Sequence, residues 1–143
     1  MKQPHDSYEL DDDPSRVNLD RVHGWLTTSY WSPGVTRDVV KRALRGSSLV
    51  VGAYLENVQV GYLRVVSDRA TFAWICDVWV DHPHRGRGLA KAMLRFALAH
   101  PEHQGLRRWV LATRDAHEIY AACGFTPLPE PQRWMIRRAT DAH

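Results

Sequence analysis

The chain has 143 residues, 44% of them hydrophobic and 24% charged, with a formal net charge of +3 and a pI near 9.1. Such a length and balance describe one soluble globular domain, long enough to bury about two-thirds of its unfolded surface. Cys76 and Cys123 are too few and too far apart for a disulfide framework or a four-cysteine zinc module. No run of about 18 apolar residues could cross a membrane as a helix. The polar, acidic opening MKQPHDSYELDDD has no apolar core of a secretory signal, so a cytoplasmic location is expected. Positive charge comes from sixteen arginines against three lysines. Arginine's planar fork suits anions, but these arginines are interspersed with Asp and Glu and no recognition motif accompanies them. Neither nucleic acid nor a membrane is expected as a partner.

In chain order, residues 1–7 read as a flexible end before a single domain over 8–143. A short strand in YELDDDPSR leads to an acidic turn with Pro14 near a helix start. In VNLDRVHGWLTTS, Val22, Trp25 and Leu26 recur at helical spacing until YWSPG breaks the helix. Thr36 caps a second helix, where Val39, Val40 and Leu44 form one stripe ending at Gly46. The period then changes. SLVVGAYLE and VQVGYLRVVSD are strands joined by a turn at Glu56–Asn57, and a third strand covers 70–81. Residues 88–99 are apolar on nearly every side and predict a buried helix on a sheet. A strand over 107–113 and a short helix in DAHEIYAAC, closed by Gly124, come next. FTPLPEP and QRWMIRR can supply two last strands. Strand, helix and strand over 70–113 form a βαβ crossover, which demands parallel neighbours. The expected class is therefore mixed α/β, in the order β-α-α-β-β-β-α-β-α-β-β.

The loop DHPHRGRG between strand and helix invites an anion. Free N–H groups at a helix start carry partial positive charge, and Gly86 and Gly88 permit unusual φ angles and close backbone approach. On the residues alone it is either a phosphate cradle or an ordinary glycine-bearing turn. It matches neither GxxxxGK[ST] nor GxGxxG, which fails at Lys91.

RGRGLA, with Arg85, Gly88 and Ala90 at the marked places, resembles the Arg/Gln-x-x-Gly-x-Gly/Ala pattern of the GNAT superfamily of acyl-CoA-dependent acyltransferases. IYAACGF resembles that family's second landmark, a tyrosine four residues before Gly-Phe, here Tyr120 before Gly124 and Phe125. The element order matches as well, so the resemblance spans roughly residues 8 to 138. It implies a GNAT fold, with one mixed sheet of six or seven strands and about four helices. It implies acetyl-CoA as co-substrate and no metal. The pyrophosphate would lie on the backbone of Arg85, Gly86, Arg87, Gly88, Leu89 and Ala90. The pantetheine arm would pair with backbone around Val78 and Val80, between splayed strands, and a backbone N–H there would stabilise the oxyanion. Tyr120 would donate a proton to the departing thiolate; on the residues alone it is equally a buried tyrosine with a satisfied hydroxyl. Thr113 departs from the asparagine that the family often carries seven residues before the tyrosine, yet it can still hydrogen-bond.

The implied reaction is direct acetyl transfer to a primary amine in a ternary complex; Cys123 is too close to the tyrosine motif to read as a covalent nucleophile. The alternative is a non-catalytic acyl-CoA-binding module on the same fold. Asp77, flanked by Ile75, Cys76, Val78 and Trp79, is the candidate base, its pKa raised by desolvation; it is equally an Asp bonded to loop backbone or a nearby Arg. His82 and His84 could shuttle protons, but lack a third ligand for a metal. Tyr30 and Trp31, with Phe72, Trp74, Trp79 and Trp134, read as an aromatic wall for a flat or cationic small-molecule or peptide amine, or else as core. A homodimer is a further possibility, with RWMIRR on an edge strand as one route.

Overall fold

Side-chain caps set where the first two helices begin. Asn18 accepts from the Arg21 N–H ahead of α1 (Leu19–Leu26), and Thr36 accepts from the Val39 N–H ahead of α2 (Arg37–Gly46). The computed structural model describes residues 1–140; residues 141–143, the end of the domain expected over 8–143, lie outside the described residues. Among the described residues six strands form one sheet in sequential order: β1 (Lys2–His5), β2 (Tyr8–Asp11), β3 (Leu49–Leu55), β4 (Val58–Ser67), β5 (Phe72–Val80) and β6 (Arg108–Val110). Neighbours from β1 to β5 are antiparallel, whereas β5 and β6 are parallel. The crossover helix α3 (Leu89–Ala99) joins them, and α4 (His117–Ala121) follows β6. This is the mixed α/β sheet with four helices that the sequence predicts.

Both faces of the sheet are covered, which is why β3 is buried at six consecutive positions. On one face Leu10, Val51, Ala53, Leu63, Val65, Ala73 and Ile75 pack against Leu89, Met93, Leu94, Phe96 and Ala97 of α3. On the other face Val50 and Tyr62 meet Val22, Leu26 and Val40 of α1 and α2. An α3 with this many buried positions has nowhere to sit but against the sheet. No helix among the described residues is long and apolar enough to cross a membrane.

The two ends of the chain differ from expectation. Residues 2–5 are not frayed but form β1, a hairpin with β2 closed over Asp6 and Ser7. An edge strand of exposed polar residues that includes Pro4 carries no apolar alternation to announce it. At the other end, the strands expected in 125–131 and 132–138 do not form. Pro127, Pro129 and Pro131 remove donors at alternate positions, so that stretch cannot sustain a ladder. The following stretch runs alone, with Met135 98% and Ile136 75% exposed. The sixth strand thus comes from the N-terminus.

The connection from α3 to β6 contains a buried histidine that helps seat the last strand. His103 is 1% exposed, packs its ring on Trp109 of β6, and shares a 2.8 Å hydrogen bond with Ser48 Oγ. Its Nδ1 is buried with no hydrogen-bond partner among the described residues. Burial, with His100 and Arg69 nearby, holds its pKa below the ordinary histidine value. The unfolded chain therefore takes up this proton first as pH falls. Stability is whole above about pH 6.5, the unfolded value, and declines below it. Urea midpoints measured from pH 7 down to pH 5 should fall, and His103→Gln should flatten that decline.

Candidate active site

Along β5 the residues that must reach the α3 core are Ala73, Ile75, Val78 and Val80, a period of two interrupted by one extra residue. A regular strand would send Asp77 and Trp79 into the core instead. A bulge resolves the conflict. Tyr62 pairs with Trp79 and Arg64 with Cys76, so Asp77 and Val78 together oppose the single residue Leu63. Asp77 takes φ +56°, a left-handed conformation that aspartate tolerates better than most residues. Beyond the bulge β5 has left its parallel neighbour, the last pair being Trp74 with Val110. Past that pair the two strands no longer bond each other, and the gap between them, which we take as the cleft, is edged by β5 backbone that includes Val78 and Val80.

Asp77 points to the α1–α2 side of the sheet, where Arg64 Nε donates to its Oδ2 at 2.6 Å and Trp31 Nε1 donates to its Oδ1 at 2.8 Å. The connection between α1 and α2 thereby reaches the bulge. Tyr30 stands edge-on to Trp31 at 5.0 Å, and Trp31 lies 6.1 Å from Trp79. The Tyr30 hydroxyl accepts from the Arg114 backbone N–H at 2.8 Å, and the Arg114 guanidinium covers the Tyr30 ring at 4.0 Å. Of the expected aromatic wall, Tyr30, Trp31 and Trp79 thus meet. Trp74 instead stands across from Val66 and Val110, 39% exposed, and Trp134 lies beneath Arg108.

Tyr120 lies on α4, which Thr113 helps to start by accepting from the Ala116 N–H at 3.1 Å. Gly124, at φ +93°, ends the turn and lets Phe125 fold back edge-on to Tyr120 at 6.1 Å. Burial, and then the neighbouring Tyr30, push the Tyr120 pKa up to about 12. A hydroxyl so placed keeps its proton at neutral pH.

At the far end of β5, Asp81 caps a 3-10 turn over His82–His84 before the glycine loop. Gly86 and Gly88 adopt φ +80° and +76°, and Gly88 is the α3 N-cap, with no side chain to satisfy the first-turn N–H groups. Open space surrounds Gly86, so its conformation, not crowding, calls for glycine. Arg85 turns back, donating from Nε to the Val80 carbonyl at 2.8 Å with its guanidinium 5.1 Å over Trp79. Arg85 to Gly88 are exposed, Leu89 is buried in the core and Ala90 half-buried. Two residues of the N-terminal hairpin brace it: His5 Nε2 donates to the Arg87 carbonyl at 2.9 Å, and the Tyr8 hydroxyl bonds His84 Nδ1 at 2.9 Å. His84 is thereby engaged, and no group of three metal-ligating side chains exists among the described residues. A cavity of about 400 Å³ lined by Tyr8, Arg16, Tyr54 and Asn57 lies on the β1–β2 side. Arg64, Arg114, His5 and Tyr8 escape sequence inspection, because each acts across a long span of chain and belongs to no local motif.

This combination of splayed parallel strands, a bulge and a glycine-capped helix start defines a known class. The family described as acetyltransferase (GNAT) matches residues 8–125, and the chain belongs to that family. Its fold closely follows a GNAT-family protein of Xanthomonas campestris pv. campestris, with a TM-score of 0.89 and 41% identity over 96% of this chain and 95% of that one. A protein of Gibberella zeae named as an acetyltransferase is 27% identical over 79% of this chain and 75% of its own length. Streptothricin acetyltransferase of Escherichia coli is 32% identical over 55% of this chain, which spans about half (48%) of that relative. The family uses acetyl-CoA as co-substrate.

The tyrosine environment is directly measurable. In a spectrophotometric titration, Tyr120→Phe should leave the absorbance change of ordinary tyrosines, near pH 10, unaltered, because Tyr120 ionises near 12.

Proposed function

We propose that this protein transfers an acetyl group from acetyl-CoA to a primary amine by direct attack in a ternary complex. The observation that carries this reading is a surface of two parts in sequence: the stretch of β5 past its last pair with β6, and the glycine loop and α3 N-terminus into which it leads. A thioester with an anionic tail fits such a surface, and the two left-handed glycines form the cradle for the tail.

In this reading the N–H groups of residues 86–90 and the side chain of Arg87 hold the pyrophosphate. The β5 backbone at Val78 and the N–H of Val80, whose carbonyl Arg85 already engages, align the pantetheine arm, and an N–H at the bulge stabilises the negative charge that develops on the acetyl oxygen. Tyr120 gives its proton to the thiolate as it leaves, its raised pKa keeping it protonated until then. Thr113 supports this role indirectly, by setting the start of α4. Tyr30, Trp31 and Trp79 offer aromatic faces to the acceptor, which suits a cationic small molecule or peptide amine. One observation favours the rival reading of a non-catalytic acyl-CoA-binding module: both oxygens of Asp77 are already engaged.

Free-CoA release separates the two. Purified protein with acetyl-CoA and an amine panel containing streptothricin, polyamines, amino acids and lysine peptides should release CoA in an amine-dependent way. Acetyl-CoA binding with no release across the panel would favour the binding module. Tyr120→Phe should lower kcat about a hundredfold or more while acetyl-CoA affinity changes less than about twofold. Gly88→Val, forced into a left-handed conformation, should weaken acetyl-CoA binding about tenfold or more in calorimetry.

A further inference from the structure

Asp77 is engaged on every side that the bulge leaves to it. One oxygen accepts from Arg64 beneath, the other from Trp31 above, and the side chain is only 12% exposed. A general base needs a lone pair aimed at the substrate. Asp77 instead turns one oxygen to a half-buried guanidinium and the other to an indole N–H. What it does offer is an anchor. The α1–α2 connection closes on itself through the Gly34 N–H to the Thr27 carbonyl at 2.9 Å. It is then tied down at two points, Trp31 to Asp77 on β5 and Tyr30 to Arg114 after β6. Those two strands are the walls of the cleft, so the connection bridges it, and Tyr30 comes close enough to Tyr120 to raise its pKa further.

We infer that Asp77 is the positioning residue of the acceptor site: held by Arg64, it fixes Trp31 and with it the bridge that closes the cleft over the incoming amine. The kinetic consequence rests on the acetyltransferase reading; the anchoring is a property of the folded chain and is measured without substrate. The ionisable groups facing Asp77 are Arg64 and Tyr62 from β4 and Cys76 on its own strand. Burial pushes the Tyr62 hydroxyl up and the Cys76 thiol up to about 11. None of these neighbours changes charge between about pH 5 and pH 9.

The first measurement is the Trp31 indole N–H in proton–nitrogen correlation spectra of the full chain, assigned by its loss in Trp31→Phe. In Asp77→Ala it should move to the position of a free indole. Asp77→Asn alone would strand the Arg64 charge, so the informative variant is the pair Arg64→Met with Asp77→Asn. There the amide oxygen is free to accept from Trp31, and the resonance should return. The second measurement is steady-state transfer with streptothricin as the probe amine. Arg64→Met with Asp77→Ala, which strands no charge, should raise the amine KM about tenfold, one lost hydrogen bond's worth, with kcat changing less than about threefold. Arg64→Met with Asp77→Asn should restore that KM to within about threefold and keep the acid limb of the pH profile, which no amide could do in place of a proton acceptor.

Loss of turnover by about a thousandfold in the paired variant, with the Trp31 resonance restored, would make Asp77 the proton acceptor and overturn the inference. An unmoved Trp31 resonance in Asp77→Ala would overturn it whatever the activity. If Trp31 behaves as expected but streptothricin and the rest of the amine panel yield no free CoA, the acetyltransferase reading fails and the acceptor-site role of Asp77 is overturned with it, while the structural anchor stands.

Discussion

One extra residue in β5 governs the architecture of the site. Ala73 and Ile75 on one side of Asp77, and Val78 and Val80 on the other, all belong to the core under α3. That is possible only if two residues share the space opposite Leu63. Pairing with β6 ends at Trp74 and Val110, ahead of the bulge, and past the bulge Trp79 meets the aromatic group on the other face. The bulge also requires a left-handed aspartate, a conformation that costs about 1 kcal/mol or more. The ion pair with Arg64 and the Trp31 hydrogen bond help to hold that conformation in place. Core packing and site geometry are thus one constraint seen from two faces of the sheet.

The glycine-loop end, where we propose that an anion binds, is built from fixed dipoles more than from free charge. Arg85 is folded back onto Val80 and Trp79, and several other arginines are engaged: Arg16 with Glu9 and Asp11, Arg21 with Asp81, Arg64 with Asp77. The loop backbone is held in a left-handed course at Gly86 and Gly88. The N-terminal hairpin contributes to this end too, since His5 and Tyr8 reach across the molecule to buttress it. A segment read as frayed from its polarity therefore supports the loop that the sequence motif marks.

Much of this was visible beforehand, and the reasons differ by element. Caps at Thr36, the apolar all-round α3 and the crossover between β5 and β6 are local or periodic signals, and the structure follows them. The glycine loop and the tyrosine before Gly-Phe are short contiguous patterns that pointed to the family now matched over residues 8–125. The misread stretches lack such signals: β1 is polar and edge-bound, and the proline-rich segment after Phe125 alternates for a reason other than pairing. The bulge had a trace in the sequence, the offset between Ala73–Ile75 and Val78–Val80, visible only once those four residues are known to share a face.

From the residues alone came the elements of the middle of the chain, the mixed α/β class, the anion-ready loop and the family resemblance. Each rests on neighbours within a turn or a strand, where backbone geometry makes spacing meaningful. Only the tertiary structure decided what surrounds Asp77 and which aromatics meet. Arg64, Trp31 and Arg114 lie 13, 46 and 84 residues from the partners they hold. Contacts across such distances are set by how helices and strands pack on the sheet, and no local pattern in the chain encodes them.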